Sequence, residues 1–181
     1  QPDYVASYSL GNKAFLKGLT WDRETSKYAA LAAVPLTGEP PLTGAPALSV
    51  IHPGSGVTLI EARASGGGYV EGVSLYEKTS RGIEAVRMVD EKGETAPAYF
   101  LSGATVRHVE KVEFRDVSGD GTAAAVSTST DISDAAGTVS TVRAFKWTDG
   151  AFKYDADLSR LLGASEGLFP EPGAGVVTSR K

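Results

Sequence analysis

The chain has 181 residues, a formal net charge of −4, no cysteine, one methionine and two histidines. That composition excludes a disulfide framework, a thiolate zinc site, a cysteine nucleophile and a three-histidine metal centre, and a basic footprint for nucleic acid is absent. With 41% hydrophobic and 22% charged residues it reads as an ordinary globular chain, and no apolar run approaches the ~20 residues of a membrane span.

The chain holds a single Asn and a single Gln, and these together with Cys and Met are the residues that deamidate or oxidise. Their scarcity, and a start at Gln1-Pro2-Asp3 that resembles a processed terminus, point to an extracytoplasmic setting: periplasm, cell envelope or secreted.

Taken in chain order, residues 1–34 form an N-terminal arm spotted with Tyr4, Tyr8, Phe15, Trp21 and Tyr28. A short helix is expected from an Asp22 cap through Val34, ended by Pro35. Residues 35–48 follow as a Pro-rich linker, with a tandem hexamer, Pro35-Leu36-Thr37-Gly38-Glu39-Pro40 and Pro41-Leu42-Thr43-Gly44-Ala45-Pro46. Two copies are too few for a solenoid, and the prolines favour a stiff extended spacer.

From residue 49 to 162 the texture becomes that of a β-rich domain. Val57 to Arg63 reads as a strand bounded by Gly66-Gly67-Gly68. Tyr69 to Lys78 alternates, Ser80-Arg81-Gly82 turns, and Ile83 to Val89 reads as one partner strand before a turn at Asp90 to Glu94. Val106 to Val117, Thr122 to Ile132 and Thr138 to Trp147 follow, with Thr148-Asp149-Gly150 closing a tight hairpin onto Phe152 to Tyr154. Asp157 to Leu162 offers one or two helical turns stopped by Gly163, and residues 163–181 form a Gly/Pro-rich tail. The expected fold is mainly β: an antiparallel meander, sandwich or propeller-blade-like sheet with short peripheral helices.

The most specific local pattern is Asp116-Val117-Ser118-Gly119-Asp120-Gly121-Thr122. Oxygen side chains at positions 1, 3 and 5 with Gly at 6 match the first half of a calcium loop, because alternate side chains turn inward onto a hard cation. Asp116, Ser118, Asp120 and the carbonyl of Thr122 are the candidate Ca2+ ligands. Ala123, Ala124 and Ala125 stand where further acids would complete such a loop, and two carboxylates place any affinity at the weak, roughly millimolar end.

Val112 to Gly121 followed by the apolar strand Ala123 to Val126 resembles the hairpin of FG-GAP/VCBS-like repeats. Val142 to Phe152, with its aromatic–x–Trp–x–x–Gly–x–Phe cadence, resembles the closing hairpin of the same unit. The similarity covers about residues 112–154 and implies an extracytoplasmic β-protein whose loop holds calcium between two strands. One copy of the motif cannot build a complete propeller.

Other constellations carry less. Ser55 beside His52, or His108, supplies the residue types of a serine hydrolase, but Gly54-Ser55-Gly56 is no nucleophile elbow. Gly66-Gly67-Gly68 lacks the strand–helix context of a dinucleotide loop. Asp155 and Asp157 could flank a sugar, and Trp21, Trp147, Tyr69, Tyr76 and Tyr99 could line a carbohydrate groove or fill a core. The sequence therefore favours a non-catalytic cell-envelope accessory protein that docks another envelope or surface protein. A small-ligand or glycan-binding module is the alternative, and a serine hydrolase the weaker one.

Overall fold

Short turns joining alternating segments leave most of this chain one way to satisfy its backbone, in ladders between sequence neighbours. The computed structural model describes residues 3–36, 43–65, 70–105, 107–133 and 137–165, and they are mainly β, with one short helix. Strands β1 (Tyr4–Leu10) and β2 (Lys13–Asp22) meet across Gly11-Asn12, where Gly11 takes the positive φ that a two-residue II′ loop needs. Strands β3 (Lys27–Ala30) and β4 (Val34–Pro35) pair in turn with the other edge of β2.

The helix expected over 22–34 is therefore absent. Asp22 does cap amides, those of Glu24 and Thr25, but the cap closes the β2–β3 turn. Cross-strand aromatics decide the outcome: Trp21 lies opposite Tyr28 with ring centroids 5.0 Å apart, and Tyr8 stacks on Phe15 at 5.2 Å.

Of the expected linker, residues 37–42 lie outside the described residues, and β5 (Thr43–Gly54) begins at Thr43. It pairs with β6 (Val57–Ser65), and β6 with β7 (Val70–Thr79). The partner strand expected over 83–89 is split into β8 (Gly82–Ala85) on β7 and β9 (Arg87–Val89) on a distant strand. Buried Val86 makes the crossing: its N–H donates to Leu75, and its carbonyl accepts from Ala98.

Two unforeseen strands, β10 (Thr95–Pro97) and β11 (Tyr99–Ala104), precede β12 (His108–Asp116), β13 (Ala123–Ser133), β14 (Gly137–Thr148) and β15 (Ala151–Tyr154). Asp149 and Gly150, both at positive φ, close the expected β14–β15 hairpin. Helix α1 (Ala156–Ser165) runs through Gly163 instead of stopping there. Gly66 to Tyr69, Val106 and residues 166–181 lie outside the described residues.

The large sheet runs β10-β9-β15-β14-β13-β12-β11-β7-β6-β5, antiparallel except where β9 meets β15, and it does not close into a barrel. One face encloses the main core, with Leu59, Val73, Leu75, Phe100, Phe145 and Phe152 among its buried residues. On the other face, the small sheet covers β6 and β7 through Leu16, Ile60, Ala62, Tyr76 and Ile83. Leu158 of α1 covers Ala124, Val126, Val142 and Ala144 of β13 and β14 in the same way. Ser159 locks the helix on: its buried hydroxyl accepts from the Ala144 N–H at 2.9 Å and donates to the Asp155 carbonyl at 2.6 Å.

Candidate functional site

The loop between β12 and β13 brings Asp116, Ser118, Asp120 and Thr122 together as expected from their spacing, but it turns its oxygens inward on its own backbone. The Asp116 carboxylate accepts from the amides of Ser118 (3.1 Å), Gly119 (2.7 Å) and Gly121 (2.8 Å). Asp120 accepts from the Thr122 amide at 2.8 Å and from its hydroxyl. The Gly121 amide, with those of Gly119 and Ser118, holds the Asp116 carboxyl below the usual carboxylate range. The Thr122 hydroxyl and amide lower that of Asp120. Both are thus ionised at neutral pH. Among the described residues no group of three or more acidic, His or Cys side chains is arranged to hold a metal, so a cation here would have to share oxygens that already serve the turn.

Alternation along β12 sets His108, Glu110, Val112 and Phe114 on one face, and the face changes character along the strand. Phe114 and Val112 belong to the apolar core. Glu110 accepts from the Ser127 hydroxyl at 3.1 Å and meets His108 Nε2 at 3.4 Å, while His108 Nδ1 lies 2.6 Å from Asp131. The Asp131 hydrogen bond, with support from Glu110, raises the His108 pKa above its ordinary value against a smaller desolvation effect. Next along the rungs, Arg143 reaches Glu91 at 3.2 Å. A cavity of about 310 Å³ opens beside this polar end, bounded by Tyr99, Glu110, Ser127 and Arg143 and by apolar Met88 and Phe145.

A second hollow has a topological cause. Strands β11 and β12 pair at only two rungs, Gly103 to Glu110 and Ala104 to Val109, whereas β12 pairs with β13 at nine. Gly103, at a φ of +142° that a side chain would resist, marks the place where β11 swings away. Phe100 and Phe114, 6.0 Å apart, fill the base of the splay. Above them lies a cleft of about 510 Å³ lined by Glu61, Arg63, Ser102 and the 111–115 stretch of β12. Its buried carboxylate, Glu61, is held by Arg63 and by the Ser49 hydroxyl at 2.7 Å.

The remaining candidates are separated by the fold. His52 Nδ1 meets the Val57 carbonyl and the Thr58 hydroxyl, both at 3.3 Å, and His108 is engaged on β12, so neither histidine hydrogen-bonds Ser55. Asp155 caps α1 at the Leu158 amide and pairs with Lys146, while Asp157 pairs with Arg160. Trp21 sits in the small sheet, Tyr76 under it and Trp147 against the main core, so these aromatics line no common groove; Tyr69 lies outside the described residues. Sequence reasoning passed over Glu110, Ser127 and Arg143. The alternation His108-Val109-Glu110-Lys111-Val112 was the available signal that a polar row shares a face with the core.

No helix among the described residues is long and apolar enough to cross a membrane. No family model matches the chain, and neither a curated protein nor a solved structure shows significant similarity to it.

Proposed function

We propose that the protein is a non-catalytic docking module of the cell envelope, working outside the cytoplasm, that takes an extended segment of another envelope or surface protein along the open edge of β12. The two-rung contact between β11 and β12 carries this reading. Past Gly103 and Ala104 no described strand pairs with β12 on that side, so residues 111–115 present backbone groups to a cleft. Such a row is a template for a further strand, with hydrogen bonds giving affinity and flanking side chains giving choice. Arg63, Lys111 and Arg115 stand among the acids Glu61 and Glu113, which suits a segment of mixed charge.

The likeness of residues 112–154 to FG-GAP/VCBS-like hairpins supports the extracytoplasmic part, and the same reading places a weakly held Ca2+ on Asp116, Ser118, Asp120 and Thr122. The test is co-purification of the chain with its partner from the native envelope, followed by hydrogen exchange of the complex. New protection of the 111–115 amides is expected. Protection confined to other surfaces, with none gained on β12, overturns the docking mode.

A further inference from the structure

Alternation gives the small sheet two unlike faces. Ala14 and Leu16 of β2 are buried against β6 and β7. Lys13, Phe15, Lys17, Leu19 and Trp21 alternate with them and stand on the opposite face, with their rung partners on β1 and β3. There Tyr28 meets Tyr4 and Trp21 edge to face, at 5.3 Å and 5.0 Å between ring centroids, and Tyr8 stacks on Phe15. Tyr4 is 50% exposed, and Leu10 at the hairpin tip is 71% exposed. None of these side chains joins a hydrophobic cluster of the core. Strands about 5 Å apart, three abreast and up to ten residues long, present roughly 400 Å² on this side. Exposed apolar surface of that size marks an interaction site, and Tyr, Trp and Phe are the side chains that interfaces favour.

The charge on this face has one sign. Lys13 and Lys17 stand on it, no acidic residue shares it among the described positions, and neither ammonium is in an ion pair there. Both lie on β2 with Phe15 between them, so about 13 Å of strand separates the two. Lys17 pairs with Ala6 on the rung between the two ring clusters, in the middle of the apolar surface instead of at its rim. A bilayer fits that layout poorly, since a central cation would be drawn away from the headgroups. A second copy fits it poorly too: a two-fold contact sets one cationic face on another, and roughly 400 Å² a side is about half of a standard interface. An extended segment bearing carboxylates fits it. Acidic side chains four residues apart match the two lysines, and an apolar one midway lies over Phe15.

We infer that the outward face of the small sheet is a docking surface for an extended acidic segment of another protein, of the form acid–x–apolar–x–acid, whose carboxylates pair with Lys13 and Lys17. The surface shares no residue with the β12 cleft, and neither depends on the other.

The test uses the intact chain and an end-blocked peptide, VSESLSESV, followed by chemical-shift NMR. VSKSLSKSV is the opposite-charge control and VEESLSSSV the misplaced-charge control. VSESLSESV is expected to bind at or below millimolar concentration, to move resonances of Lys13, Phe15, Lys17 and the Trp21 indole, and to weaken as salt rises. VEESLSSSV should bind about threefold more weakly. Lys17→Gln should weaken VSESLSESV by a similar factor at an unchanged melting temperature. The double change Lys13→Glu with Lys17→Glu should lose VSESLSESV and take VSKSLSKSV instead, an exchange that a merely structural role of the lysines would not produce. No shifts at several millimolar VSESLSESV, equal binding of all three peptides, or shifts confined to residues 111–115 would each overturn the assignment. The same resonances answering to phosphatidylglycerol vesicles but not to the peptide, or to self-association of the chain, would overturn it as well.

Discussion

Where β12, β13 and β14 approach β15, one face carries Phe114, Ala125 and Phe145; a few rungs further along the same ladders, Glu110, Ser127 and Arg143 take their places, then His108 and Asp131. The backbone pairing is continuous through both regions. What differs is the cover: at the first end Phe152 of β15 and Phe100 of β11 pack against the face, and at the second end β15 has stopped and β11 joins β12 only through Gly103 and Ala104. A ladder tolerates either content, because sheet propensity is largely a matter of what the side chains meet. The apolar end supplies stability, and the polar end is left free to be used.

That contrast can be broken at its stable end first. Phe152 is fully buried, with Trp147 at 5.2 Å and Phe114 at 6.2 Å between ring centroids. Phe152→Ala is expected to cost about 3–5 kcal/mol in a denaturant melt; a loss below about 1 kcal/mol would show that the hydrophobic weight lies elsewhere. Next comes the boundary between the two ends, where Ser159 satisfies the Ala144 N–H. Ser159→Ala leaves a buried donor unpaired and is expected to cost about 1–3 kcal/mol by the same measurement.

At the polar end the expected effect is smaller and depends on pH. Because the folded-state pKa of His108 is raised, its pairing with Asp131 and Glu110 contributes stability that is fully present below the unfolded histidine value of about 6.5 and is lost as pH rises through the folded value. Thermal melts from pH 5 to 8 should show this decline, and His108→Gln should flatten it; an unaltered profile would mean that the pair is inert. The smallest effect is expected at the loop. Calcium at a few times a millimolar dissociation constant should add about 1 kcal/mol or less to stability. Asp120→Ala should abolish the shift, and a melting temperature unmoved by calcium in the parent chain removes the ion from the reading.

Most strands from Val57 onward, though not β10 and β11, were legible because their turns are written in short-range chemistry: Asp149-Gly150 at a hairpin, and Asp90 accepting from the amides of Lys92 and Glu94. The small sheet was not, although Gly11-Asn12 is a hairpin signal, because the Asp22 side chain that closes the β2–β3 turn has the same chemistry as a helix cap. Val86 and Gly103 mark what lay beyond sequence reading altogether. Each changes the partner of a strand midway, a choice made by the far side of the sheet. At the candidate loop the four residues were found where their spacing placed them, while the amides that occupy the two carboxylates became visible only in three dimensions.

The parallel contact between β9 and β15 sets residues 87–89 beside 151–153, in a sheet otherwise assembled largely from hairpins. Hairpins zip within a short loop, whereas this rung must wait for the chain between to find its place. The consequence is kinetic: β12 to β15 are expected to form first as a meander, and the seam at β9 to set the slow step of folding. Residues 87–97 are then the last to gain protection in a refolding experiment, and the polar cavity, which needs Met88 in place, is complete only when they do.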